Sequence, residues 1–320
     1  MGKSKKQALD IINKIRNENK TVDELKTMFL TNEDWYRVSN LAYNIQLEEA
    51  RRENVKSQKK PHVLVTPNET INDIFSLNDT LSNYALGIPL WATERDYEKI
   101  KDFANDLPST EQNIIDFIES INMHPKWRAQ QKKGRISQYE IFKEFDKIVD
   151  SSLISYYRQN YIACFLTLAP VIEGVLLKWK RYDGFSEKPE FDDYRKFFKQ
   201  GPLRQPCPGN IQFHRVYSSI CDNIINKTLY KPTFSGDAHS DFNRHVALHM
   251  LKKSKFGTKN NCTRLFLLLD FMTEIYWYEG KFPDPRWNLN NDDILLEFSI
   301  YSDLKENLKN CNSAEEFLLR

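Results

Sequence analysis

The feature that most restricts this chain is the period of its apolar residues. They recur every three or four positions, and no convincing run alternates apolar with polar as a half-buried strand would. Glycine is sparse as well, with 10 in 320 residues. The expected fold class is therefore all-α. Helices are expected near 4–18, 22–30, 32–56, 70–86, 94–106, 110–122, 137–157, 159–181, 211–227, 241–254, 261–279 and 291–308, with a short one at the end. Thr21-Val-Asp-Glu24 and Ser109-Thr-Glu-Gln112 both fit the capping box, in which a hydroxyl and a carboxylate or amide satisfy free amides reciprocally. The stretch Pro61 to Pro67, with Val63-Leu64-Val65 inside it, fits a short extended piece, and no internal repeat is visible.

Two breaks in this pattern suggest the organisation. The polar, basic run from His124 through Arg128, Lys132 and Lys133 to Gly134 fits a domain boundary. The segment from Asp183 to Asn210 carries Pro189, Pro202, Pro206 and Pro208, so it is expected to be loop with about one helical turn near 191–199. The expected division is a helical domain over 1–133 that regulates or recognises, a second over 134–285, and a helical tail over 286–320.

A mass of 37.9 kDa, 40% hydrophobic and 28% charged residues and a mean hydropathy of -0.62 fit a globular protein rather than a disordered or membrane-embedded one. A net charge of +2 excludes a general polycation, so any nucleic-acid surface must be a local patch. Cys164, Cys207, Cys221, Cys262 and Cys311 are scattered, odd in number and form no CxxC pair, which argues against a disulfide framework or a cysteine zinc knuckle. That usage fits a reducing cytoplasm, the expected location. Met1 to Lys6 is polar with no apolar segment behind it, so no secretory signal is expected, and Lys6 breaks the myristoylation pattern that Gly2 would begin. The longest apolar run, Tyr161 to Leu177, contains Pro170 and Glu173 and is expected to be a buried core helix, with no membrane association.

The segment richest in chemistry is Ser240-Asp-Phe-Asn-Arg-His-Val-Ala-Leu-His249. Ser240 or Asp241 would cap a helix carrying Arg244, His245 and His249 in its first turns. At ~100° per residue His245 and His249 share a face, while Arg244 lies ~140° from His249. A second copy of the helix packed against the first would bring Arg and His from both chains to one cleft, so a homodimer is expected. Such a cluster suits RNA cleavage by the RNA's own 2′-hydroxyl. Histidine titrates near pH ~6.5 and can serve as base or acid. Arginine keeps its proton and offers a planar fork of donors to phosphate oxygens.

The run Asn243-Arg244-His245-Val246-Ala247-Leu248-His249 resembles the HEPN superfamily signature, an Arg, a polar residue and a His after a short spacer. Phe256-Gly-Thr-Lys-Asn-Asn261 and Thr263-Arg-Leu-Phe-Leu-Leu-Leu-Asp270 are similar to the loop and last core helix that follow this motif. Leu168-Ala-Pro-Val-Ile-Glu-Gly-Val-Leu-Leu177 is similar to the apolar core helix with an embedded acid. The resemblance covers about residues 137–285. It implies a HEPN-like bundle of four to five helices, dimerisation through it, and RNA endonuclease activity of the kind found in toxins and antiphage-defence effectors. Residues 1–133 match nothing recognised. Leu251 stands where a subset of these toxins carries a modified Tyr two residues after the motif His, which argues against that control.

The roles implied are His249 as general base or acid, Arg244 as phosphate stabiliser, and Asn243 and His245 as positioning groups. His245 is equally well read as a purely structural imidazole. Glu173, an acid in an apolar helix, needs a partner: it either orients Arg244 or His249, or pairs with some other Arg or Lys. Lys231, with Tyr230 beside it, and Lys252, Lys253, Lys255 and Lys259 fit a phosphate-binding rim for RNA, or alternatively cations favoured at a helix C-terminus. No cofactor and no metal are expected. His245 and His249 do stand at the i, i+4 spacing of a zinc pair, with His239, Asp237 or Asp241 as further ligands. Val246, however, occupies the position where the metalloprotease motif needs Glu. Expected partners are RNA, a second copy of the chain, and an inhibitory or trigger protein. The competing class is an inactive HEPN-like module that binds a nucleotide or a protein without cutting.

Overall fold

The structure, a computed structural model, describes residues 3–182, 184–185, 189–231, 242–248, 256–280 and 291–307. Among them are helices and connections and no strand. The protein is all-α.

In chain order the helices are α1 (Lys3–Asn17), α2 (Val22–Lys26), α3 (Asn32–Gln58), α4 (Asn68–Ser82), α5 (Glu94–Ala104), α6 (Glu111–Asn122) and α7 (Pro125–Gln131). A π-turn over Lys132–Ile136 leads into α8 (Glu140–Lys143), α9 (Asp146–Tyr157) and α10 (Tyr161–Trp179). Then come α11 (Phe191–Arg195), α12 (Gly201–Arg204), α13 (Ile211–Ile224), a second π-turn over Ile225–Leu229, α14 (Arg244–Leu248), α15 (Lys259–Gly280) and α16 (Asn291–Asn307).

Local chemistry explains several starts. Thr21 forms the expected capping box with Glu24, and Thr93 forms another with Asp96 at the head of α5. The box expected at Ser109 is not formed: α6 begins after Thr110, which makes no side-chain cap and instead donates its hydroxyl to the Phe103 carbonyl. The helix expected over 137–157 is broken between α8 and α9, where the Phe145 ring lies against Gly174 of α10. A Cβ at Gly174 would stand 2.6 Å from that ring, so the glycine makes the approach.

Compact packing divides the chain into two units that interleave in sequence. One comprises Met1–Ser76, Lys196–Ser219 and Glu274–Phe282; the other comprises Leu77–Arg195, Ile220–Thr273 and Pro283–Arg320. The boundary expected at 133/134 thus falls inside the second unit.

In the first unit, Ala8, Ile11, Ile12 and Ile15 form one stripe of α1 and pack with Leu25, Trp35, Val38, Ala42 and Cys207. Each of the Ile, Leu and Val side chains contributes roughly 1.5–3 kcal/mol on burial. Backbone carbonyls of the 203–206 loop are satisfied by α3: the Trp35 indole donates to Leu203 at 3.3 Å and the Gln46 amide to Pro206 at 2.8 Å.

The same unit buries a polar chain. Arg204 donates to both oxygens of Glu279, at 2.7 and 3.1 Å. His214 Nε2 lies 3.2 Å from Glu279 Oε1, and its Nδ1 lies 2.9 Å from the Tyr43 hydroxyl. If Nε2–H donates to the carboxylate, Nδ1 accepts from Tyr43 and every member is paired. Burial alone would push the Glu279 carboxyl up, but the Arg204 charge and the His214 hydrogen bond outweigh it. The group therefore titrates below its ordinary value of 4.5. A carboxyl lowered on folding adds stability that is present above its unfolded value and is lost as pH falls through its folded one. Glu279→Gln should therefore be less stable than wild type at pH 7, and the gap should narrow as both are acidified below about pH 4.5. Urea unfolding of the two proteins across that range measures it, and a gap that stays constant would show that Glu279 does not titrate as described.

In the second unit, α15 carries the central run. Leu265 through Met272 are each 0% exposed, the all-round burial expected of a helix at the centre of a core. Phe271 reaches Gly87, where a Cβ would meet its ring at 2.9 Å. α10 is long and apolar enough to cross a bilayer by length and composition, yet Cys164, Phe165, Leu168, Ala169, Val171, Ile172, Val175 and Leu176 are buried. Cys164, Cys207, Cys221 and Cys262 are buried free thiols, and Cys311 lies outside the described residues.

The run from His124 to Gly134, expected as a boundary, is instead helical and partly buried, with His124 and Lys126 exposed. His124 caps α7, Pro125 begins it, and Arg128 and Arg135 are 3% and 0% exposed. Arg128 forms an ion pair with Asp270 of α15, and Gln131 donates to Thr273 at 2.7 Å. Lys132 bridges Asp150 and Glu297, at 2.6 and 3.1 Å, which ties α16 to this unit.

Candidate active site

Asn243 and Arg244 stand where the motif helix begins. The Asn243 carbonyl accepts from the Ala247 amide at 3.0 Å, so the described helix starts one residue later, at Arg244, and not near 241. Asn243 is 0% exposed. Its side-chain amide donates to the carbonyls of Thr228, at 3.2 Å, and Lys231, at 2.9 Å. Those two bonds fasten the start of α14 to the end of the second π-turn.

Arg244 reaches Glu173 of α10 and pairs with it; the two side chains are 23% and 14% exposed. Of the partners open to Glu173 in the sequence, Arg244 is one that the described residues pair with it, and His249 lies outside them. The Arg244 guanidinium carbon also lies 5.8 Å from the centre of the Tyr230 ring, within cation–π range. Tyr230 stacks on Tyr194, ring centres 6.3 Å apart and planes 21° from parallel. Arg244 is thus flanked by a carboxylate and an aromatic face, both supplied by separate elements of the same unit. Its Nε atom is buried with no hydrogen-bond partner among the described residues, and so is the Tyr194 hydroxyl.

The electrostatics assign these groups different capacities. Burial, then the charge of Glu173, push the Tyr194 phenol up to about 12 against the opposing pull of Arg244. The same causes, in the same order, push Tyr230 up further. At neutral pH both phenols keep their protons and can donate but not abstract. His245 is half-buried on α14, and His249 lies outside the described residues.

The lysine rim is only partly described. Lys252, Lys253 and Lys255 lie outside the described residues, as do His239, Asp237 and Asp241. Lys231 contributes its carbonyl to Asn243. Lys259 is held by Asp116 at 3.4 Å and Glu119 at 3.7 Å, so its charge is shared with two carboxylates. Tyr230, placed by sequence beside the rim, is 2% exposed and sits under Arg244 instead. Tyr194 was invisible to sequence reasoning. It lies on the helical turn expected near 191–199 inside the proline-rich stretch, and no motif marks it. Among the described residues no three of His, Cys, Asp and Glu are grouped to hold a metal ion.

No protein-family model, curated protein or solved structure matches this chain.

Proposed function

We propose that this chain is a metal-independent RNA endonuclease of HEPN type, acting as a homodimer in the cytoplasm as a toxin or antiphage-defence effector. The observation that carries the proposal is the setting of Arg244, held by Glu173 on one side and by Tyr230 on the other. A guanidinium has five N–H donors in a rigid fork, so one held by a carboxylate still offers donors to a phosphate.

In the proposed reaction His249 takes the proton of the substrate's 2′-hydroxyl, and the oxygen attacks the adjacent phosphorus. Arg244 stabilises the charge of the phosphorane. The P–O bond to the 5′-oxygen breaks as an imidazole acid, from this chain or its partner copy, returns a proton to that oxygen. The products are a 2′,3′-cyclic phosphate and a 5′-hydroxyl, and atoms and charge balance without an oxidant or a metal. Such a nuclease needs restraint, and an inhibitory or trigger protein would supply it.

The deciding experiment is incubation of total RNA with the purified protein in EDTA, followed by determination of the ends. Wild type is expected to cut and to leave the two ends named above, and His249→Ala to leave RNA intact while unfolding at the wild-type temperature. Cutting retained by His249→Ala in a clean preparation removes that residue from the site. Cutting abolished by EDTA replaces the proposal with metal-assisted hydrolysis. RNA left intact by folded wild type replaces it with the binding module.

A further inference from the structure

The second unit contains an open cleft of about 430 Å³, inside the range typical of small-ligand sites. Its lining includes Tyr84, Glu111, Thr228, Phe242, Asn260 and Arg264. We infer that this cleft is a nucleobase subsite selective for guanine, reading a base beside the scissile phosphate; its biological use rests on the ribonuclease proposal above.

Charge decides against phosphate as the occupant. Among the described residues, Arg264 and Glu111, paired at 2.7 Å, are the only ionised side chains in the lining. The cleft is therefore neutral overall, and its carboxylate would repel an anion. A neutral heterocycle with hydrogen-bonding edges suits it better, and two aromatic residues, Tyr84 and Phe242, supply the apolar surface such a ring needs.

The donors and acceptors then point to one base. Arg264 is held rigidly: Nε donates to the Tyr84 carbonyl at 3.1 Å, Nη1 to Asn261 Oδ1 at 2.9 Å and Nη2 to Glu111 Oε1 at 2.7 Å. Three of its five N–H groups are committed in these bonds, and Arg264 lines the cleft with its side chain 12% exposed. Glu111, 38% exposed on its side chain, engages Arg264 through one oxygen and keeps acceptor capacity on the other. Guanine alone among the four RNA bases carries two adjacent donors, N1–H and N2–H, that a carboxylate can accept together. Its O6 and N7 accept from a guanidinium. Adenine, cytosine and uracil each lack one half of that pattern.

The cleft is continuous with the motif. Thr228, in its lining, gives its carbonyl to Asn243, and Phe242, also in its lining, directly precedes Asn243. One residue, Asn243, lies between Phe242 and Arg244, so their Cα atoms are at most about 7 Å of chain apart. A nucleotide whose phosphate meets Arg244 is thus within reach of the cleft with its base.

The test is isothermal titration of the full chain with guanosine, adenosine, cytidine and uridine, which carry no phosphate, and with inorganic phosphate. Guanosine should bind at least about tenfold more tightly than the other three, and Glu111→Gln should lower its affinity by about tenfold or more. Phosphate should not displace it. If Glu111→Gln fails to fold, as a thermal melt will show, Asn260→Trp, whose bulk at the cleft lining would fill the space for a base with the Arg264–Glu111 pair intact, carries the same expectation. Equal binding of the four nucleosides, displacement by phosphate, or full affinity in the folded variants overturns the subsite. Binding needs no cleavage, so the two proposals fail separately. A chain that selects guanosine but cuts no RNA keeps the subsite and loses the nuclease, and a nuclease that binds no nucleoside does the reverse.

Discussion

Lysine in place of Arg244 is expected to lower RNA cleavage by about 10²–10³-fold while leaving the protein folded. The substitution keeps the positive charge, so Glu173 retains a cation to pair with, and the half-buried carboxylate is not orphaned. What it removes is geometry. An ammonium cannot serve Glu173 and two phosphate oxygens with a planar fork, and it stacks less well over the Tyr230 ring. The loss should therefore appear in kcat rather than in KM, because the missing donor acts where charge develops in the transition state. Glu173→Gln is the companion variant. It frees the guanidinium from its ion pair and should reduce cleavage less than Arg244→Lys does. Combining the two should give less than the sum of their separate effects, since both act through one group. Rates of Arg244→Lys within about threefold of wild type would detach Arg244 from the chemistry.

Much of the secondary structure is legible in the sequence because helices declare themselves locally. α1, α3, α10 and α15 each follow from apolar spacing, and Thr21 marks the head of α2 through a box that four residues suffice to define. Ser109 shows the limit of such local rules. The same pattern of residue types is present there, but Thr110 gives its hydroxyl to Phe103, and the helix begins without a side-chain cap. The interleaving of the two units was not legible, because compactness comes from pairs far apart in the chain. Tyr43 and His214 are 171 residues apart and share a hydrogen bond, and nothing in either neighbourhood announces the other.

The candidate site divides in the same way. Glu173 stood out because an acid in an apolar helix must find a partner, but solvation alone does not say which: Arg244, His249 and any other Arg or Lys stayed open until the structure paired it with Arg244. Asn243 was legible through the resemblance of its segment. Tyr194 and Tyr230 were not, since a tyrosine in a proline-rich or basic stretch looks the same whether it meets solvent or lies under a guanidinium. Their role depends on three elements, α10, α11 and the second π-turn, meeting around Arg244.

Removing the carboxylate of Asp270 is expected to be the most damaging single change to stability, costing roughly 3–5 kcal/mol. Asp270 lies on the fully buried run of α15 at 0% exposure, and Arg128 of α7 is 3% exposed. The pair is two-pronged, with Arg128 Nη1 donating to Asp270 Oδ1 at 3.2 Å and Nη2 to Oδ2, while Nη2 also reaches Asn122 Oδ1 at 3.2 Å. Asp270→Ala leaves a guanidinium 3% exposed without its ion-pair partner, and domains of ordinary stability have only about 5–15 kcal/mol in total. The loss comes from the stranded charge rather than from the pair's own strength, because desolvation consumes most of what two buried ions gain from each other. That argument has a sharper consequence. The double variant Arg128→Met with Asp270→Leu, which removes both charges and keeps the volume, should recover most of the lost stability. Urea unfolding of the single and double variants decides it. A double variant as unstable as Asp270→Ala would mean that the pair contributes through its geometry, by fixing α7 on α15, and not merely by cancelling a charge that the fold has buried.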